Sequence, residues 1–366
     1  MQPAKDTEPL NAGLPFMRGG VVLCLLIIVF SSLVPFTGWR VPDEFAWGSV
    51  VRRHQTLFDL AVNILVYVAP GFLIARLGVR SGSARPALIA TLLCSALSFC
   101  MESLQLFLPG RVCALHDWLA NSAGALGGAA LAVTLTGQRA ASRILVWRQR
   151  WLSPAPHAEI GAVLLLAWLI AQTNPGVAYF EAGNIVNRLT IDWQSDPYDP
   201  LFLIPQVVGI GLNVCGFALF LSIFISTRVF AGVPVTLILA AGLLTKFLAA
   251  GLMLKAPLLG SWLGPTSVLG LLAGYFLALL MLGAKERTRL FLALILVFAG
   301  GMMSKMAAIY DGSKAMLGVF DWPHGQIGVF ASLTRWLNEL WPIAALIYLA
   351  WLYISTGREE MAAQVE

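Results

Sequence analysis

The sequence alternates between long apolar runs and short polar segments. A helix of about twenty apolar residues crosses roughly 30 Å of hydrocarbon, at about 1.5 Å per residue. The apolar runs predict ten membrane-spanning helices, near residues 20–34, 57–77, 86–107, 118–135, 160–173, 205–227, 234–254, 265–283, 290–306 and 339–355. No ten-residue segments of alternating polarity recur, as a strand barrel would require. The predicted fold class is therefore all-α, a polytopic integral membrane protein.

A basic segment divides these apolar runs into two groups and predicts the domain boundary. It carries four arginines, followed by Pro154 and Pro156. The predicted organisation is a cytoplasmic tail, a four-helix membrane domain, a basic cytoplasmic linker, a second membrane domain of about six helices and a second cytoplasmic tail. Their predicted bounds are 1–19, 20–136, 137–158, 159–356 and 357–366.

Composition supports a membrane protein and argues against nucleic-acid binding. The 366 residues are 58% hydrophobic and only 12% charged, with a mean hydropathy of +0.78, whereas soluble proteins have about 25% charged residues. The formal net charge is +5, but most basic residues lie in short loops between apolar runs, where they set topology. The five cysteines include no C-x-x-C pair, and the sequence contains none of the common cofactor motifs.

The polar residues with the strongest chemical signal flank a predicted turn between the third and fourth helices. Glu102 and Gln105 are three residues apart, and Asp117 and Asn121 are four apart, so each pair shares one helical face. Arg111 lies in the loop between the two pairs. The spacing predicts that these five side chains converge across a helical hairpin.

This pattern resembles the signature of the VanZ-like family of polytopic bacterial membrane proteins. That signature is a Glu, a Gln three residues later, an Arg, then Asp, Asn and Gly. The matching residues are Glu102, Gln105, Arg111, Asp117, Asn121 and Gly124. The resemblance covers about residues 20–136. It implies a protein of the bacterial plasma (inner) membrane that acts in the cell envelope and is linked to glycopeptide-antibiotic resistance.

The distribution of Lys and Arg predicts the orientation in the membrane. Cytoplasmic loops carry an excess of these residues, and the segments 139–150 and 285–289 are strongly basic. With ten crossings, both termini are predicted to be cytoplasmic. The predicted polar cluster then faces outward, with Asp59 and Asn63 of the second helix beside it.

A charged group at membrane depth is costly and usually faces protein or a water-filled cavity. We therefore expect the cluster to bind a polar or anionic ligand, such as a lipid-linked glycan or peptidoglycan intermediate. The alternative is a structural network that holds the helices together. The expected ligand-binding residues are Asp59, Asn63, Glu102, Gln105, Arg111, Asp117 and Asn121.

Two other functions fit the same residues. One is a membrane hydrolase or transferase in which Glu102, Asp117 or His116 acts as the base. The other is a transporter in which Asp59, Glu102 and Lys246 line the path. Lys246 lies inside the seventh predicted helix and either extends to the surface or pairs with an acidic group. No metal-site spacing is present. Gly124 and Gly128 permit close helix packing. The expected partners are membrane lipid and an envelope precursor.

Overall fold

A computed structural model shows an all-α protein, which confirms the predicted fold class. It describes residues 14–34, 36–41, 57–78, 85–108, 111, 113–135, 146, 150–155, 157–174, 179–180, 200–225, 231–253, 263–310 and 326–365. The helices are α1 Leu14–Leu33, α2 Leu57–Gly78, α3 Arg85–Gln105, α4 Leu115–Thr134, α5 His157–Ala171, α6 Pro200–Phe224, α7 Gly232–Met253, α8 Pro265–Met281, α9 Glu286–Tyr310 and α10 Gln326–Val365. The only extended pairing within these ranges is an isolated bridge between Leu152 and Ile225.

Six of these helices are long and apolar enough to cross a membrane. Their spans are Leu60–Gly78, Arg85–Gln105, Leu203–Phe224, Gly232–Gly251, Glu286–Ser304 and Leu333–Gly357. The apolar parts of α1, α5 and α8 are shorter, and α4 combines Asp117 and Asn121 with three glycines. The other four helices, α1, α4, α5 and α8, were also predicted to cross the membrane. Length and composition therefore support six of the ten predicted crossings.

The chain divides into two compact units, residues 1–148 and 149–366. In unit 1, α2 packs most extensively against α4, α3 contacts both of them, and α1 packs on α2 and α3. Its core joins residues of α1, α2, α3 and α4, including Ile28, Tyr67, Cys94 and Ala125. The predicted bounds of the basic linker remain a prediction, because residues 136–145 and 147–149 lie outside the described part of the chain.

Unit 2 is built around α6, which is surrounded by α5, α8 and α9, while α10 packs on α5 and α9. The α6 span is 78% buried, so this helix is enclosed by protein rather than lipid. Its aromatic residues continue a cluster that includes Trp168, Phe217, Phe220 and Trp341. The core of unit 2 is therefore rich in aromatic contacts.

The tenth helix is much longer than predicted. We expected it near residues 339–355 with a tail after it, but α10 runs from Gln326 to Val365. The apolar pattern identified only the part that crosses the membrane, whereas the helix continues through polar residues on both sides. Helical structure also begins at Leu14, inside the predicted amino-terminal tail. Apolar patterning marks the membrane-embedded length of a helix, not its ends.

Candidate functional site

The polar residues of unit 1 meet where α1 and α3 end and α4 begins. Glu102 lies in the last turn of α3 and Asp117 in the first turn of α4. Both side chains are buried, with exposed fractions of 7% and 6%. The structure thus brings two acidic groups from different helices into the interior of one unit.

Glu102 binds the chain at the start of α4. Its Oε2 accepts a hydrogen bond of 3.0 Å from the backbone N–H of Ala114, the residue that caps α4 without a side-chain hydrogen bond of its own. A carboxylate near a helix amino terminus also interacts favourably with the helix dipole. Glu102 therefore fixes the entry of α4 to the end of α3.

Asp117 connects α4 to α2. Its Oδ1 accepts a hydrogen bond of 2.7 Å from the Asn63 side-chain amide, and both residues are buried. Asn63 was predicted to lie beside the cluster, and it contacts one of the cluster's carboxylates directly. The side chain of Asp59, predicted to lie beside it, is outside the described residues.

Asn121 connects α4 to α3. Its Nδ2 donates to the Ser98 hydroxyl at 2.9 Å, and Ser98 also hydrogen-bonds with the side chain of Tyr67. The Asn121 Oδ1 is buried, and the described residues supply no hydrogen-bond donor for it. A buried acceptor without a donor is unfavourable, so this oxygen is suited to a donor that comes from outside the chain.

Gln105 and Arg111 both bind the carboxyl end of α1. The Gln105 Nε2 donates to the Ser32 carbonyl at 3.2 Å. The Arg111 Nε donates to the Val34 carbonyl at 3.0 Å and its Nη2 to the Ser31 carbonyl at 2.6 Å. These bonds satisfy carbonyl groups that a helix end leaves without helical partners.

Both carboxylates lie close enough to Cys113 to influence it. The pKa of the Cys113 thiol is raised to about 11, mainly by burial and to a smaller extent by the negative charges of Glu102 and Asp117. The thiol stays protonated at neutral pH, so Cys113 is not a reactive thiolate. Glu102 lies at this loop, since its Oε2 accepts from the backbone N–H of Ala114, the residue after Cys113.

His116 is exposed, whereas its neighbour Asp117 is buried against Asn63. Adjacent residues on a helix point about 100° apart. The structure therefore places the two candidate bases in different environments. Within the described residues, no group of three His, Cys, Asp or Glu side chains is arranged to hold a metal ion.

Helices α2 and α4 approach backbone to backbone. A Cβ atom at Gly124 would clash with the Ile64 carbonyl, and one at Gly128 would clash with the Val68 carbonyl. Gly127 faces open space, with no atom within 4 Å of an added Cβ. Of the three glycines of α4, Gly124 and Gly128 face α2 and permit the close contact, whereas Gly127 does not contribute to it.

Ser98 and Tyr67 belong to the network but were not among the predicted residues. A spacing signal for both was present in the sequence. Ser98 precedes Glu102 by four residues on α3, and Tyr67 follows Asn63 by four on α2, so each continues a polar face already identified. A search for hydroxyl side chains at helical spacing from the predicted site residues would have identified both.

The lysine inside α7 is also buried. Lys246 is 1% exposed, and its Nζ donates to the Asn174 carbonyl at 2.8 Å. The expectation that it extends to the membrane surface is wrong. A hydrogen bond to the backbone just beyond α5 holds its ammonium group inside unit 2.

Comparison with known proteins identifies a family for the first part of the chain. The family model described as VanZ/LLP1 matches residues 16–136, which include α2, α3, α4 and nearly all of α1. Neither the curated proteins nor the solved structures include a match to the chain.

Proposed function

We propose that this chain, whose residues 16–136 match the VanZ/LLP1 family model, is a VanZ-like envelope membrane protein whose buried polar cluster binds the polar head of a lipid-linked glycan or peptidoglycan intermediate. The observation that carries this proposal is that Glu102 and Asp117 are both buried, at the end of α3 and the start of α4, where they accept hydrogen bonds from Ala114 and Asn63. Two carboxylates in the interior of an apolar bundle are expensive, and interhelical hydrogen bonds average only about 0.6 kcal/mol.

The hydrogen-bonding character of the cluster favours a ligand rich in donors. The carboxylates of Glu102 and Asp117 and the Oδ1 of Asn121 are acceptors, and Asn121 Oδ1 has no donor among the described residues. Two donors of Arg111 bind backbone carbonyls of α1. Sugar hydroxyls and peptide amines would supply the hydrogens, so a glycan or a peptide amine suits the cluster better than a bare anion.

A cell-envelope ligand requires the cluster to face outward in the plasma (inner) membrane, with both termini cytoplasmic. This orientation follows from the positive-inside rule. It would place the cluster on the envelope side of the membrane, as a link to glycopeptide-antibiotic resistance would require.

The alternative of a structural clamp makes a different prediction for isosteric variants. Glu102→Gln and Asp117→Asn remove the charge, yet a side-chain oxygen remains to accept from Ala114 and Asn63. If the network is only structural, both substitutions should leave stability and function unchanged. A ligand-binding cluster should keep its melting temperature but lose about 1.5–3 kcal/mol of binding for each charged hydrogen bond.

The experiment is a binding titration of purified protein in nanodiscs with lipid-linked disaccharide and disaccharide-peptide intermediates. Glu159→Gln is the matched control, because Glu159 is also a buried carboxylate and lies in unit 2. We expect loss of binding in the two unit 1 variants alone. Full binding by both variants would leave the structural role as the better account.

An enzyme that uses Glu102 or Asp117 as base predicts turnover of the same substrates. Product formation in the same nanodisc samples separates this alternative from binding, since it requires a change in the mass of the intermediate. A transporter would instead move the intermediate from one side of the membrane to the other without a change in its mass.

A further inference from the structure

A group of basic side chains lies at one end of unit 2, around the carboxyl terminus of α6. The Arg289 Nη1 donates to the Ser222 carbonyl at 3.1 Å. Leu152 pairs with Ile225, just beyond α6, which brings the segment that contains Arg150 to the same end. We call Arg150, Lys285, Arg287 and Arg289 the basic patch.

Arg289 has a polar atom that the protein leaves without an acceptor. Its Nε is buried and makes no hydrogen bond within the described part of the chain, although Nη1 binds Ser222. A buried guanidinium N–H without an acceptor is unfavourable. Its position therefore suits an oxygen atom from a bound molecule.

Aromatic rings accompany the basic side chains. The Arg287 guanidinium lies over the Tyr353 ring at 5.4 Å from its centroid, and Arg150 lies 6.0 Å from the Trp151 ring. Tyrosine and tryptophan concentrate where membrane proteins meet lipid headgroups. The patch also lies where the α6 span ends, the α9 span begins and the α10 span approaches its end.

Apolar surface adjoins these charges. Phe291 is 47% exposed and its ring packs against Tyr353, with centroids 5.9 Å apart. Ile354, next to Tyr353 in the chain, is 56% exposed. A guanidinium group thus borders an exposed apolar surface, and this combination matches a molecule with a charged head and an apolar tail.

We propose that the basic patch binds the phosphate of an anionic phospholipid, with Arg289 Nε donating to a phosphate oxygen and the acyl chain lying along Phe291. Basic pockets between membrane helices bind acidic headgroups in this way. Glu286 is the acidic side chain within the 285–289 segment; it is exposed and opposes the attraction. The side chains of α10 beyond Gly357 lie outside the described residues.

The test measures lipid retained by the full-length protein, by native mass spectrometry after exchange into phosphatidylcholine with and without phosphatidylglycerol. Arg289→Gln should weaken phosphatidylglycerol binding about fivefold, and the double variant Lys285→Gln/Arg287→Gln about twenty-five-fold. The double variant leaves the Arg289–Ser222 bond in place, so it decides the matter if Arg289→Gln fails to fold. Arg40→Gln, an exposed arginine of unit 1, is the control and should change nothing.

Three outcomes overturn the proposal. One is a wild-type protein that retains phosphatidylcholine as well as phosphatidylglycerol. Another is an equal loss in the Arg40→Gln control. The third is displacement of bound lipid by inorganic phosphate alone, which would assign the site to a soluble phosphate. Because the patch and the polar cluster lie in different units, failure of one proposal leaves the other standing.

Discussion

The pKa of the Cys113 thiol depends on the negative charges of two carboxylates, Glu102 and Asp117. Burial and the negative charges of Glu102 and Asp117 raise its pKa to about 11. A raised pKa means that the neutral thiol predominates below that pH, so reactivity increases as the pH rises. Near neutral pH the thiolate fraction should be about a hundredfold below that of an ordinary cysteine.

We predict slow alkylation of Cys113 at neutral pH, with a rate that grows about tenfold per pH unit. Peptide mass spectrometry after treatment with a soluble maleimide measures the rate at this one cysteine. Asp117→Asn removes one of the raising charges and should speed alkylation. Glu286→Gln, an exposed carboxylate of unit 2, should leave the rate unchanged, and fast alkylation of the wild type at neutral pH would contradict the geometry.

Residue spacing identified which side chains come together but not what they bind. The predicted pairs lie on common faces, and Asn63 contacts Asp117. Arg111 was predicted to belong to the cluster, and it also donates to the carbonyls of Ser31 and Val34, 80 and 77 residues away in the chain. Every residue of the chain has a backbone carbonyl group, so the pattern of side chains along the sequence cannot predict which carbonyl accepts a hydrogen bond.

Among the described helices, basic side chains from elsewhere in the same unit bind the backbone at or just beyond three carboxyl ends. Arg111 binds the end of α1, Lys246 the segment just after α5, and Arg289 the end of α6. A positive charge near a helix carboxyl terminus is stabilising, by about 0.3–1 kcal/mol at exposed sites and more when partly buried. Basic residues here stabilise helix ends in addition to setting topology.

The glycines of α4 give a matched comparison. Gly124→Ala should destabilise the protein by about 1–3 kcal/mol, because its Cβ meets the Ile64 backbone and the helices must separate. Gly127→Ala should be neutral or stabilising by about 0.4–1 kcal/mol, since its Cβ meets open space. Thermal unfolding in detergent measures both.

Gly128→Ala should behave like Gly124→Ala, because its Cβ would clash with the Val68 carbonyl. Equal melting temperatures for the variants at positions 124 and 127 would mean that α2 and α4 are not in close contact. The motif of two small residues four apart indicated close packing, but only the structure identifies α2 as the partner and Gly127 as the outward residue.

At the scale of the whole molecule, the predicted topology places residues 139–150 and both termini in the cytoplasm. The prediction rests on the distribution of Lys and Arg. A cysteine placed at position 143 should therefore resist an impermeant maleimide in intact cells and react after the cells are permeabilised. Native Cys100 and Cys113 are first replaced by Ser so that the added thiol gives the signal.

Efficient labelling of position 143 from outside would invert the topology. It would place the polar cluster of unit 1 toward the cytoplasm, so an envelope precursor could not be its ligand. The fold would be unaffected, because the helix contacts within each unit do not depend on the side from which the membrane is viewed.

The contacts of Gln105 and Arg111 with α1 also bear on how the sequence can drift over time. Their acceptors are main-chain oxygens of Ser31, Ser32 and Val34, and any amino acid at those three positions supplies the same oxygen. Substitutions there should accumulate with little penalty, whereas changes to the glutamine or the arginine remove the side chain that donates these bonds. Gln105 and Arg111 thus bind the end of α1 without requiring particular side chains there. Different α1 sequences can therefore be held by the same two residues.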